Sequence, residues 1–177
     1  MRRGEWRTMM SAEDVLAVLD LLDRAGIRVW LDGGWGVDAL LGEQTRPHND
    51  LDIVVRTDDL DRYDRALRAH GFRLMRDDGP YNYVLVDDAG REVDVHSFDP
   101  ATTLTDADGV LVHGPNGLAY PVDALTGSGT VLGRRVACCT PEYQVRSHTG
   151  YEIDADDVHD VLALHRRFGV PLPPPYA

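Results

Sequence analysis

The chain contains no lysine: all 18 of its basic residues are arginine. That absence removes several chemistries at once. There is no P-loop lysine, no kinase strand lysine, no pyridoxal Schiff base and no covalent lysyl-nucleotide intermediate. Phosphate chemistry in this protein has to run on arginine, backbone amides and metal. Cysteine is nearly absent too. The two present, Cys138 and Cys139, are adjacent, and neighbours on a strand point to opposite faces. They therefore form neither an ordinary disulfide nor a zinc site, and they fit packing in a reducing compartment. No run of about 18 apolar residues occurs, and the N-terminal MRRGEWRTMM lacks an apolar signal region. The expected location is the cytoplasm, with no membrane contact. Positive charge is also scarce: 30 acidic residues against 18 basic give a net charge of −12 and a pI near 4.8. A stable nucleic-acid partner is not expected, because too few cations are available to displace counterions from phosphates. An acidic surface instead attracts metal ions and small cations, unless it serves solubility alone.

What is present fits one domain of 177 residues. At this size folding buries roughly 70% of the unfolded chain's surface, so the core needs no staple. Ser11 with Asp14 signals a helix start, followed by an apolar stripe of Val15, Val18, Leu19 and Leu22 and a stop at Gly26. A strand is expected over Arg28 to Leu31, then a short helix from Gly33-Gly34 to Gly42. A second strand follows over Asp50 to Arg56 and a second helix over Asp58 to His70. Further strands read at Phe72–Met75, Tyr83–Val86 and Glu92–Phe98, the last two as a hairpin around Asp87-Asp88-Ala89-Gly90. Residues 99–130 read as loops with short strands at Val110–Val112 and Ala119–Val122, and a strand pair folds about Gly133. Thr140-Pro141 opens a helix. A last helix runs from Asp154 to Phe168 with Val158, Val161, Leu162, His165 and Phe168 on its buried side. The expected class is α/β (α+β): a mixed β-sheet flanked by helices, with a helical C-terminus. The catalytic core is expected over about 11–98, and the acceptor side over about 99–170.

The unusual residues concentrate between Trp30 and Val55. Asp50 and Asp52, two apart on a strand, project from one face, where their charges repel unless a cation lies between them. Hard carboxylate oxygens at that spacing suit Mg2+. The plainer reading is a solvated pair at a strand edge. Glu92, Asp94 and His96 alternate with valines on a second strand. If the two strands are neighbours, Asp94 joins Asp50 and Asp52 as a third carboxylate and as the base for a hydroxyl attacking phosphorus. Otherwise they form the polar face of a half-solvated strand. Gly33 and Gly34, between a strand and a helix start, offer either a phosphate cradle or a tight turn. Arg46 can hold a triphosphate by a bidentate fork, and His48 can contact phosphate or cap its loop. Trp35 is either a stacking platform or core.

Taken together, Trp30-Leu31-Asp32-Gly33-Gly34-Trp35-Gly36-Val37-Asp38, Arg46-x-His48-x-Asp50-x-Asp52 and Asp94-Val95-His96 resemble the small lincosamide nucleotidyltransferases. They also resemble the aminoglycoside 2''-adenylyltransferases, within the nucleotidyltransferase superfamily of the DNA polymerase β type. The resemblance spans roughly 11–98 and is looser beyond. It implies the nucleotidyltransferase fold and transfer of a nucleoside monophosphate, AMP from ATP, to a hydroxyl of a small cationic antibiotic, with pyrophosphate released. Asp50 and Asp52 match Mg2+ ligands, Asp94 a further ligand or the base, and Gly33 and Gly34 the triphosphate turn. One departure is Trp35, which stands where the superfamily often has a serine that contacts phosphate. Tyr81, Tyr83, Glu92 and His96 are candidates to line the acceptor pocket, and a homodimer is an expectation by analogy. Competing expectations are nucleotidylation of a protein or tRNA, or a non-catalytic nucleotide-binding module. A nucleotide-sugar transferase using D-x-D is disfavoured by the short chain.

Overall fold

A computed structural model describes residues 9–177; the charged N-terminal stretch through Thr8 lies outside the described residues. Helix α1 (Ala12–Arg24) starts as the sequence predicts. The Ser11 hydroxyl accepts from the Asp14 amide at 3.1 Å and the Asp14 carboxylate from the Ser11 amide at 3.2 Å, a reciprocal cap. Strand β1 (Val29–Leu31) leads to α2 (Gly33–Leu41), which ends at Gly42 in the left-handed conformation (φ 83°). Strand β2 spans Asp50–Arg56 and α3 spans Leu60–Arg68. Then come β3 (Arg73–Asp77), β4 (Asn82–Val86) and β5 (Glu92–Phe98). The small strands β6 (Thr103–Thr105) and β7 (Leu111–His113) pair with each other, and β8 (Gly127–Val131) pairs with β9 (Arg134–Cys138). Helices α4 (Pro141–Ser147) and α5 (Ala155–Phe168) close the chain.

Seven strands form one mixed sheet in the order β3-β4-β5-β2-β1-β9-β8. β2 runs antiparallel to β1 and parallel to β5, and β1 runs parallel to β9. One face is apolar: Leu51, Ile53, Val55, Val93 and Val95 form a core with Val15 and Leu22 of α1 and Tyr63 and Leu67 of α3. The opposite face carries a smaller cluster in which Trp30, Val54 and Phe98 meet Tyr120, Leu125 and Cys139. Cys138 belongs to the first core and Cys139 to the second, both buried and free, as their adjacency requires. Burial pushes the Cys138 thiol up to about 12, with Asp32 adding to the rise. Along β2 and β5 the alternation therefore aims Asp50, Asp52, Asp94 and His96 at the second face, beside its apolar patch.

Several elements differ from the sequence reading. Ala119–Val122 is not a strand: Pro121 makes only an isolated bridge to Val112, and a 3-10 turn follows over Val122–Thr126. β6 lies in the stretch read as loop. Strand β3 carries a bulge: Leu74 faces Leu85 and Arg76 faces Val84, leaving Met75 as the extra residue. In α5 the buried residues are Asp160, Val161 and Leu164, whereas Val158 and Phe168 are each 40% exposed and His165 is also exposed. An apolar stripe alone could not place a fully buried aspartate on that helix. No helix among the described residues is long and apolar enough to cross a membrane.

Candidate active site

The ladder between β2 and β5 sets the site. Asp52 lies opposite Asp94, Asp50 opposite Glu92, and Val54 opposite His96. Because the strands are parallel and in this register, the two aspartates stand side by side on one face. His96 sits against both: its Nε2 is 3.6 Å from Asp52 Oδ1 and 3.4 Å from Asp94 Oδ1. One ligand atom from each of Asp52, Asp94 and His96 lies within 4.8 Å of the others. Asp50 lines the same cavity one pleat along, outside that group. Burial, the largest single influence on His96, pulls its pKa down. Asp52 and Asp94, with Asp32 behind them, more than reverse this and push it up to about 10. Asp94 Oδ1 and His96 Nε2 are buried without a hydrogen-bond partner, and the carboxylate oxygens are the hard donors that Mg2+ takes. The residues fit such an ion.

The helix start faces these carboxylates. Asp32 caps α2, its Oδ1 accepting from the Gly33 amide at 3.0 Å. Its Oδ2 accepts from the Tyr120 hydroxyl, also at 3.0 Å, which ties the cap to the chain beyond β7. Burial raises the pKa of Asp32, opposed by the His96 charge and assisted by Asp52. Gly33 adopts φ 52°, and a Cβ there would overlap the Asp52 carboxylate. A Cβ at Gly34 would overlap the His48 ring and the Arg46 guanidinium. The glycine pair therefore lets the backbone amides approach the acidic face more closely than any side chain allows.

Arg46 and His48 line the cavity, but their hydrogen-bonding atoms are largely committed within the protein. Arg46 grips Asp160 of α5 through Nε at 3.0 Å and Nη2 at 2.6 Å, and its Nη1 lies 3.3 Å from Asp156. The fork offered to a triphosphate is thus taken up by a carboxylate from the other end of the chain. His48 Nε2 is 2.5 Å from Asp38 Oδ2, and its ring packs on Trp35 with centroids 4.8 Å apart. Trp35 is core, 3% exposed. The two residues buttress the glycine turn, with His48 Nδ1 and Arg46 Nη2 standing against Gly34.

The cavity bounded by these groups has a volume of about 410 Å³. Of the four residues expected to line it, His96 does. Tyr83 instead turns its hydroxyl to Asp64 at 2.7 Å, Glu92 is buried, and Tyr81 is not in the wall. The wall is completed by Tyr143, Ser147 and His148 around α4, and by Tyr151 and Asp157. The sequence carried a cap signal for Asp32. Tyr120, Tyr143 and Asp160 carried none, since each acts on a partner far away in the chain.

The chain is similar to known proteins in sequence and in fold. The profile of the aminoglycoside-2''-adenylyltransferase family matches residues 14–164. A lincosamide resistance protein of Staphylococcus haemolyticus is 28% identical over 88% of this chain and 94% of its own length. A 2''-aminoglycoside nucleotidyltransferase of Escherichia coli is 27% identical over 81% of this chain and 74% of its own. Among solved structures, the lincosamide adenylyltransferase LnuA with lincomycin bound superposes with a TM-score of 0.73 at 26% identity. That match covers 89% of this chain and 98% of the other.

Proposed function

Since the chain belongs to the aminoglycoside-2''-adenylyltransferase family, we propose that it transfers AMP from ATP to a hydroxyl of a small cationic antibiotic, a lincosamide or an aminoglycoside. Pyrophosphate is the leaving group. The observation that carries this reading is the pairing of Asp52 with Asp94 on neighbouring parallel strands, directly beside the glycine start of α2. Mg2+ held by Asp50, Asp52 and Asp94 would supply charge neutralisation at the phosphates and at the reacting phosphorus. Everything else falls to the chain's own groups. The Gly33-Gly34 backbone receives the triphosphate, with the positive end of α2 behind it. Asp94 takes the proton from the acceptor hydroxyl as the new O–P bond forms at the α-phosphorus and the bond to pyrophosphate breaks. Asp32 and Tyr120 hold the helix start in place. Asp157 gives the α4–α5 wall a negative charge that suits the amine of either antibiotic class.

The test is incubation with ATP, Mg2+ and a panel of lincosamides and aminoglycosides, read by mass spectrometry for an added AMP and by pyrophosphate release. The Asp52→Asn variant should lose at least about a hundredfold in rate while melting like the wild type. ATP binding with no product from any acceptor would refute the transfer reading in favour of a binding module. An unaffected Asp52→Asn enzyme would remove the metal assignment.

A further inference from the structure

The bulge in β3 has its effect at the candidate cation site. In an unbroken ladder Met75 would face Val84. The extra residue brings Arg76 to that rung instead, and Val84 in turn faces Asp94. Arg76 Nη2 thereby comes within 3.3 Å of Asp94 Oδ2, across the neighbouring strand. Asp94 thus has one oxygen on a guanidinium, while the other, Oδ1, lies against Asp52 and His96 without a hydrogen bond. Arg76 is held more tightly elsewhere: its Nε is 2.5 Å from Asp78 Oδ2. Retreat from Asp94 therefore leaves the charge close by.

We propose that Arg76 is a built-in counter-cation of the site, which competes with a divalent ion for Asp94 and keeps the affinity of the nucleotide-free enzyme for that ion low. The inference rests on the metal reading given above. Its physics is a unit positive charge tethered beside a carboxylate that a doubly charged ion must share. Contact with Oδ2 withdraws one lone-pair site, and the charge repels the ion even after that contact breaks. The placement of the strand that carries Asp94 does not depend on Arg76, because Val93 and Val95 on either side are buried in the core. Triphosphate, opposite in sign to Arg76, offsets the repulsion, so ion and nucleotide enter together. Arg76 is 51% exposed on an edge strand whose residues are all exposed. A half-exposed pair of this kind adds at most about 1 kcal/mol to stability, so replacing it leaves the fold intact.

The experiment is calorimetric titration of Mn2+ into nucleotide-free wild type, Arg76→Gln, Arg76→Lys and Asp52→Asn, with thermal melting as the control for folding. Arg76→Gln should bind Mn2+ about three- to tenfold more tightly than wild type, the range expected for removing one partly screened charge. Arg76→Lys, which keeps the charge, should stay near wild type. Unchanged or weaker binding by Arg76→Gln, with binding lost in Asp52→Asn, overturns the counter-cation and leaves the metal site standing. Equal binding by wild type and Asp52→Asn, or binding by no variant, overturns the metal reading and this inference with it.

Discussion

Removing Arg46 should cost far more stability than removing its partner Asp160, although the two share the same pair of hydrogen bonds. Asp160 is completely buried, while Arg46 is 18% exposed. Without Arg46 the carboxylate keeps, among the described residues, only His148, whose Nε2 is 3.9 Å away. Stranding a buried charge in this way costs about 3–5 kcal/mol. Without Asp160, the guanidinium still has Asp156 at 3.3 Å and the Pro47 carbonyl at 3.2 Å, with water at its edge. That loss is closer to about 1–3 kcal/mol. For a chain of this size each kcal/mol moves the melting temperature by about 2–4 °C. Arg46→Ala should therefore melt several degrees below Asp160→Ala when both are followed by circular dichroism. The double replacement Arg46→Met with Asp160→Val should recover much of the loss, because it removes both charges and stays close to the combined volume. Equal destabilisation by the two alanine variants, or a double variant worse than Arg46→Ala, would refute the reasoning.

Two further expectations follow from the same geometry. Gly34 is helical with negative φ, so alanine suits its backbone, but the new methyl would push against His48 and Arg46. Because those two side chains are tied to buried Asp38 and Asp160 and cannot yield freely, Gly34→Ala should melt several degrees below wild type and bind ATP at least about tenfold more weakly in a direct titration. For Asp14, burial raises the pKa, but Arg91 and Ser11 together outweigh it and leave the folded value below 3.8. The stabilisation it contributes is present above the unfolded pKa and is lost as pH falls through the lowered folded one. In denaturant titrations across the acid range, Asp14→Asn should lose less stability on acidification than wild type does. An identical acid slope would count against that role.

The strands that carry chemistry were the most legible in the sequence. β2 and β5 occupy the residues that their patterning predicts, because acidic and apolar residues alternate over Asp50-Leu51-Asp52-Ile53 and Glu92-Val93-Asp94-Val95 before both faces become buried. The pairing that brings Asp94 to Asp52 could be stated only as a condition, since register between strands distant in sequence leaves no local mark. Residues 99–130 were misread in part. Their short elements are held by single contacts such as the Tyr120 bond to Asp32 rather than by periodic burial. The role of Arg46 shows the same limit. A lone arginine before an acidic strand looks available to phosphate, and only the fold shows that a buried aspartate on the last helix already holds it. On α5 the polar Asp160 occupies a core position, so an apolar stripe placed Val161 inside correctly but missed Asp160 and put Val158 and Phe168 on the buried side.

The parallel pairing of β2 with β5 has a consequence for how the protein is made. Parallel neighbours cannot be joined by a tight turn, and here the crossover consists of α3 and the strands β3 and β4. The two halves of the acidic centre are thus synthesised far apart and meet only when that long loop closes, a slow, non-local event. A nascent or truncated chain ending before β5 would carry Asp50 and Asp52 without Asp94 beside them. Under the proposed reaction, such a chain would hold only half of its acidic centre.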